Sequence, residues 1–184
     1  MIFLRHTKTL VGENVCYGDQ NVELAESFAD EYDIINQYMP VFDRIISSPL
    51  SRCRQLASEL AIDCNVPLKF DAALTEMNFG SWQGLPWDEI PRHEMDEWAA
   101  HYEYAKPHGG ESVKDLRLRA WKMLQGLDNK PRTLLVTHAG FIRAALTMLY
   151  ACCDKQKDEQ KDERDIKVGY GEFVEYQVSP INGE

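Results

Sequence analysis

Hydrophobic and polar positions along this chain repeat with two different periods. Ile2-Phe3-Leu4, Ile45-Ile46-Ser47 and residues 133–137 are short, apolar and partly β-branched, the pattern of buried strands. Residues 66–70 form a weaker run of the same kind, because Pro67 has no N–H to give to a sheet ladder. Residues 173–178 alternate Val174, Tyr176 and Val178 with Glu175 and Gln177, as a half-exposed late strand does. Between these runs the apolar spacing becomes helical. Leu24, Phe28, Tyr32, Ile35 and Met39 mark one helix face, and Leu50, Cys53, Ala57 and Leu60 a second. Val113, Leu116, Ala120, Leu124 and Leu127 mark a third, and Phe141, Ala145, Met148 and Leu149 a fourth. Ser112 and Asp115 have the spacing of a capping box opening the third helix. The order of elements predicts an α/β fold, a mostly parallel sheet between helix layers, as a single domain over residues 1–184. Residues 154–167 are dense in mixed charge and nearly empty of core residues. They read as a solvated loop or a fraying helix extension.

Composition narrows the partners. The fractions of apolar (44%) and charged (27%) residues fit a soluble globular protein. A net charge of −10 disfavours nucleic acid and anionic membrane, so an anionic ligand needs a local cluster of positive charge. Cys16, Cys53, Cys64, Cys152 and Cys153 are odd in number and lack CxxC spacing. Free thiols in a reducing compartment are expected, rather than disulfides or a zinc site. The N-terminal apolar run is too short for a signal peptide and the run at 144–153 too short to span a bilayer, so cytoplasmic residence is expected. Oligomeric state leaves no mark in the sequence.

Three polar clusters follow predicted strands: Arg5-His6-Thr7, then Ser47-Ser48-Pro49-Leu50-Ser51-Arg52, then His138-Ala139-Gly140. Ligands of such sheets collect beyond the carboxyl ends of the strands, so clusters distant in sequence are expected at one edge. Arg5 and Arg52 carry planar forks that match phosphate oxygens and stay charged at any working pH. Ser48 is the expected N-cap of the second helix and Pro49 its first residue, which puts Arg52 in the first turn. His138 and Ala139 sit where a helix begins, so free N–H groups and the helix dipole favour an anion there. A neutral imidazole is a competent nucleophile toward phosphorus, and His6 is the candidate; His138 would donate to the oxygens in the transition state. Glu76 lies in a loop of apolar and aromatic residues, where partial burial beside a phosphate dianion would favour the protonated form a general acid needs. Taken singly, each is an ordinary surface or capping residue; the set carries the reading. No Cys is followed six residues later by Arg, and GxxxxGK[ST], GxGxxG and HExxH are absent. Neither a cofactor nor a metal is expected.

These blocks together resemble the histidine phosphatase superfamily. Leu4-Arg5-His6-Thr7 is similar to its Arg-His-Gly signature, and the Ser47–Arg52 block, Glu76 and Val136-Thr137-His138-Ala139-Gly140 are similar to its later blocks, in order. The resemblance, over residues 2–150, implies a phosphoglycerate mutase-like three-layer α/β/α sandwich. It implies His6 as the phosphorylated nucleophile, Arg5, Arg52 and His138 around the phosphate, and Glu76 as proton donor. A narrower likeness is to the branch acting on alpha-ribazole 5′-phosphate. It rests on Arg5-His6-Thr7, Cys16-Tyr17-Gly18, Phe79-Gly80-Ser81-Trp82-Gln83-Gly84, Trp87, Trp98 and Gly109-Gly110-Glu111-Ser112, with Asn21 where that branch carries Asp. Thr7, Tyr17 and Gly18 are candidates for the substrate mouth; Trp82 and Trp87 are expected to pack. The activity implied is hydrolysis of a small phosphomonoester. A mutase, a broad-range sugar-phosphate phosphatase and a phosphate-binding module without turnover remain as alternatives.

Overall fold

A computed structural model describes residues 1–106, 108–127, 131–153 and 165–176. Strands β1 (Ile2–Arg5), β2 (Arg44–Ser47), β3 (Leu68–Phe70), β4 (Thr133–Thr137) and β5 (Phe173–Glu175) form one sheet in the order β3-β2-β4-β1-β5. The first four run parallel, and β5 pairs antiparallel with β1. Successive side chains of a strand face opposite ways, and here both faces are covered. Ile2, Leu4, Ile45, Leu134 and Val136 pack with Tyr32 and Ile35 of α1 (Phe28–Tyr38) and Leu56, Ala57 and Leu60 of α2 (Ser51–Asp63). Phe3, Ile46 and Leu135 point the other way, into a core with Leu116, Ala120 and Leu124 of α4 (Val113–Gln125) and Phe141, Ile142 and Ala145 of α5 (Ala139–Cys153). The expected three-layer α/β/α sandwich is the observed one.

Pro67 is tolerated because β3 is an edge strand; its carbonyl accepts the Ile45 N–H at 2.8 Å. Helix α3 (Arg92–Ala100) has no apolar stripe to predict it from, and none of its residues is buried. The capping box of α4 forms, with Ser112 accepting from the Asp115 N–H and Asp115 reaching back to the Ser112 N–H. Two helix starts differ from expectation. Leu24 lies outside α1, bridged to Thr9. Helix α2 starts at Ser51 rather than Pro49, and Ser48 does not cap it; the Ser51 N–H donates to Asn21 Oδ1 at 2.8 Å, an acceptor from a separate loop. The late strand is shorter than its alternation suggests. Gln177 and Val178 lie outside the described residues, as do residues 154–164 of the charged segment.

A smaller core of Cys16, Trp82 and Ile90, joined by Phe79, Leu85, Trp87, Met95 and Trp98, forms an aromatic block that meets the α4–α5 core through Phe79 and Trp98. Cys16, Cys53, Cys64 and Cys152 are free thiols. Among the described residues no helix is long and apolar enough to cross a membrane.

Candidate active site

Parallel register brings the three polar clusters together. Arg5 pairs with Thr137 and Ser47 with Val136, so His6, Ser48 and His138 each follow the last residue of adjacent strands β1, β2 and β4. The ladder continues one step past the strands: the His6 N–H donates to Thr137 O at 3.1 Å and the Ser48 N–H to Val136 O at 2.9 Å.

Arg52, fully buried in the first turn of α2, holds the centre. Long helical side chains lean toward the N-terminus of their helix, here back over the sheet edge. Its Nε lies 3.2 Å from both His6 Nε2 and His138 Nδ1. Its Nη1 donates to Gln20 O at 2.6 Å and its Nη2 to Gly18 O at 2.7 Å. Gly18 has a φ of +44°, and a Cβ there would come within 2.8 Å of the Met77 carbonyl oxygen, so glycine is required. A guanidinium only donates, so both ring nitrogens that face it carry lone pairs. The opposite nitrogens then carry the hydrogens: His6 Nδ1–H donates to Thr7 O at 2.7 Å, and His138 Nε2–H to Ser48 Oγ at 2.9 Å. Ser48, displaced from its expected capping role, instead orients an imidazole. The two rings meet edge-on with centroids 5.2 Å apart.

Burial is the main force on both imidazoles. It drives the His6 pKa well below the ordinary value, with the Arg52 charge adding to it and the bond to Thr7 opposing. His138 is lowered in the same way, first by burial, then by Arg52, His6, Arg119 and Arg5. Both rings are therefore neutral near pH 7, and His6 presents an unprotonated Nε2.

A cavity of about 390 Å³ adjoins this cluster. Arg5, Tyr17, Gly18, Glu76 and Ala139 line it, as does the aromatic block through Phe79, Trp87 and Trp98. His6, Arg52 and His138 lie buried at 2% exposure or less. Arg5 donates to Val168 O at 2.7 Å, and its guanidinium carbon stands 3.7 Å from the centre of the Tyr170 ring. Glu76 sits against the N-terminus of α5: Oε2 accepts the Gly140 N–H and Oε1 the Met77 N–H, both at 3.0 Å. Thr7 is fully buried rather than at a rim, and its carbonyl fixes the His6 tautomer. Trp82 packs as expected, 1% exposed.

Among the lining residues that sequence reasoning missed are Arg143 and Tyr170. Arg143 lies four residues beyond Ala139 in α5, the spacing that puts both on one helix face and the signal that would have found it. Tyr170, between two glycines, bonds Tyr17 through their hydroxyls at 3.1 Å, and its ring centroid is 5.5 Å from that of His6.

An α/β/α sandwich that gathers two neutral imidazoles and an arginine at the carboxyl ends of its parallel strands meets its counterpart among known families. Residues 1–158 match the histidine phosphatase superfamily (branch 1), and the chain belongs to that family. It is similar to the 2,3-bisphosphoglycerate-dependent phosphoglycerate mutase of Afipia carboxidovorans, 31% identical over 59% of this chain and 58% of the mutase. It is also similar to the adenosylcobalamin/alpha-ribazole phosphatase of Salmonella typhimurium, 25% identical over 59% of this chain and 56% of that protein. The chain thus spans little more than half the length of these two relatives. In fold it is similar to a phosphoserine phosphatase mutant from Entamoeba histolytica in complex with phosphoserine, with a TM-score of 0.76, 21% identity and coverage of 94% and 87% of the two chains.

Proposed function

We propose that this chain is a phosphomonoesterase that works through a phosphohistidine. The observation that carries the reading is the His6 Nε2 lone pair, held neutral by burial and turned toward Arg52 by the bond from Nδ1 to Thr7. Arg5, Arg52, His138 and the first N–H groups of α5, Ala139 among them, would hold the phosphoryl oxygens. His6 Nε2 forms a bond to phosphorus as the ester oxygen departs, and Glu76 gives that oxygen its proton. Water then attacks phosphorus, the N–P bond breaks, the water proton passes to Glu76, and neutral His6 returns.

Alpha-ribazole 5′-phosphate is the substrate favoured here. A cavity of about 390 Å³ suits a small ligand, and the Phe79, Trp87 and Trp98 wall suits a flat base beyond the phosphate. A second reading, a carboxylated or sugar phosphate, is favoured by Arg143, whose Nε is buried without a partner in that cavity. The free thiols suit a cytoplasmic enzyme, and the net charge of −10 suits small-molecule partners better than nucleic acid or membrane.

The test is hydrolysis of alpha-ribazole 5′-phosphate against 3-phosphoglycerate, phosphoserine and ribose 5-phosphate, in chelator. The highest kcat/KM is expected for the first, with the chelator without effect. The His6→Ala variant should lose turnover and incorporation of labelled phosphate. Chelator-sensitive activity or labelling of His6→Ala would overturn the mechanism, and phosphoryl transfer between hydroxyls without net release would make the chain a mutase.

A further inference from the structure

The loop bearing Glu76 has no ladder to hold it. It leaves a short 3₁₀ turn (Ala72–Leu74) and enters no strand, so its carbonyls need partners from elsewhere. Thr137 Oγ1 donates to Leu74 O at 2.7 Å. Arg119, in the middle of α4, takes the carbonyls on either side. Its Nη1 donates to Ala73 O at 2.9 Å and Thr75 O at 2.8 Å, and its Nη2 reaches Glu76 O at 3.4 Å. The remaining donors go to Glu111: Nε to Oε1 at 3.0 Å and Nη2 to Oε2 at 2.8 Å, a two-point fork on the carboxylate. All five guanidinium hydrogens thereby have acceptors. Four consecutive carbonyls, from residue 73 to residue 76, are pinned by two side chains.

We propose that Arg119 is a positioning residue for the proton donor, acting on catalysis through the backbone of residues 73–76; this rests on the assignment of Glu76 as general acid. The guanidinium touches neither substrate nor nucleophile in this role. It fixes where the Glu76 Cα stands, and so whether the carboxylate can meet the leaving oxygen while still bonded to the Gly140 N–H. Glu111, the residue before the Ser112 N-cap of α4, supports it from the other side. Lysine cannot replace it, since an ammonium has three donors in tetrahedral array and cannot span a carboxylate fork and three carbonyls at once.

The consequence is a dependence on the leaving group. An alkyl alkoxide needs a proton as it departs and an aryl oxide hardly does, so a misplaced acid slows alkyl esters selectively. The experiment measures kcat and KM for an alkyl phosphate and for p-nitrophenyl phosphate in Arg119→Lys, Glu111→Gln, Glu76→Gln and the double variant Arg119→Lys/Glu76→Gln. In Arg119→Lys, alkyl kcat is expected to fall about tenfold or more, with p-nitrophenyl phosphate kcat within about twofold of the parent and KM little changed. Glu111→Gln, which keeps the carbonyl contacts, should show a smaller loss with the same selectivity. The double variant should be no slower than Glu76→Gln alone, because both lesions act on one proton transfer. Equal losses on both esters in Arg119→Lys, beside selective losses in Glu76→Gln, would overturn the positioning role and leave the acid assignment intact. Equal losses in Glu76→Gln itself would overturn both. Thermal melts identify a variant that does not fold, and Glu111→Gln then decides by the same ratio.

Discussion

Gly140→Ala separates catalysis from stability at one atom. A Cβ built on Gly140 falls 2.3 Å from Glu76 Oε1 and 3.0 Å from its Cδ. Ordinary contact begins at 3.4 Å, so the carboxylate has to retreat by about 1.1 Å, away from its 3.0 Å bond to the residue 140 N–H. The clash is with the free end of a flexible side chain, so the backbone of α5 need not move. Alanine is also the better helix former, by less than the roughly 0.8–1 kcal/mol of a helix interior because residue 140 lies in the first turn of α5. The melting temperature should therefore hold or rise. Catalysis should not hold: with Glu76 as the proposed proton donor, a displacement of about 1 Å costs on the order of 100-fold, or about 2.7 kcal/mol of barrier. For p-nitrophenyl phosphate the loss should stay below roughly threefold, since that leaving group needs little protonation. Purified variant and parent would be compared by kcat/KM on an alkyl and an aryl phosphate, with a thermal melt of each. Undiminished alkyl turnover, or losses of similar size on both esters, would refute the placement of the acid. A melting point lowered by many degrees would refute the claim that only a side chain gives way.

Two further outcomes follow from the helix cap and the buried rings. Folding lowers the pKa of His6 and of His138 below the ordinary 6.5, chiefly through burial, so the unfolded chain takes up protons that the folded one refuses. The stability these rings contribute is complete above about pH 6.5 and declines as the pH drops toward their folded values, by up to about 1.4 kcal/mol per pH unit for each ring. Urea unfolding at pH 7.5, 6.5 and 5.5 measures the slope, which should be about halved in a His6→Asn variant; a flat profile would contradict neutral burial. Ser112→Ala removes the hydroxyl that accepts the Asp115 N–H at 3.1 Å and should cost about 1 kcal/mol, a fall of roughly 2–4 °C in melting temperature. An unchanged melt would mean that the box contributes nothing to α4.

The strands were legible because both faces of the sheet are covered, which makes runs such as Ile2-Phe3-Leu4 and Leu134-Leu135-Val136 apolar at every position. Helix α3 was not, since only Met95 and Trp98 are half-buried among its apolar residues, too few to leave a periodic trace. His6, His138 and Arg52 could be brought together from sequence because parallel strands share one carboxyl edge. The start of α2 was misread for a specific reason: Ser48 has the chemistry of a cap, but its hydroxyl receives the His138 N–H, and Asn21 supplies an acceptor from a loop no local rule connects to α2. Arg143 and Arg119 look like solvated charges on helix faces until the cavity and the bare carbonyls of residues 73–76 are seen. Tyr170 belongs to a polar stretch without periodicity, and its place over Arg5 comes from tertiary folding alone.

The place of β1 in the sheet governs when the site around His6 can assemble. Its neighbours on either side begin at Thr133 and Phe173, so His6 is synthesised well before both of the strands that flank β1. Until β4 and β5 have been made, a nascent chain has nothing to pair on either side of β1, and loops this long must close before the long-range pairings reward them. The surroundings of His6 are therefore assembled only once β5, the antiparallel partner of β1, has emerged and docked.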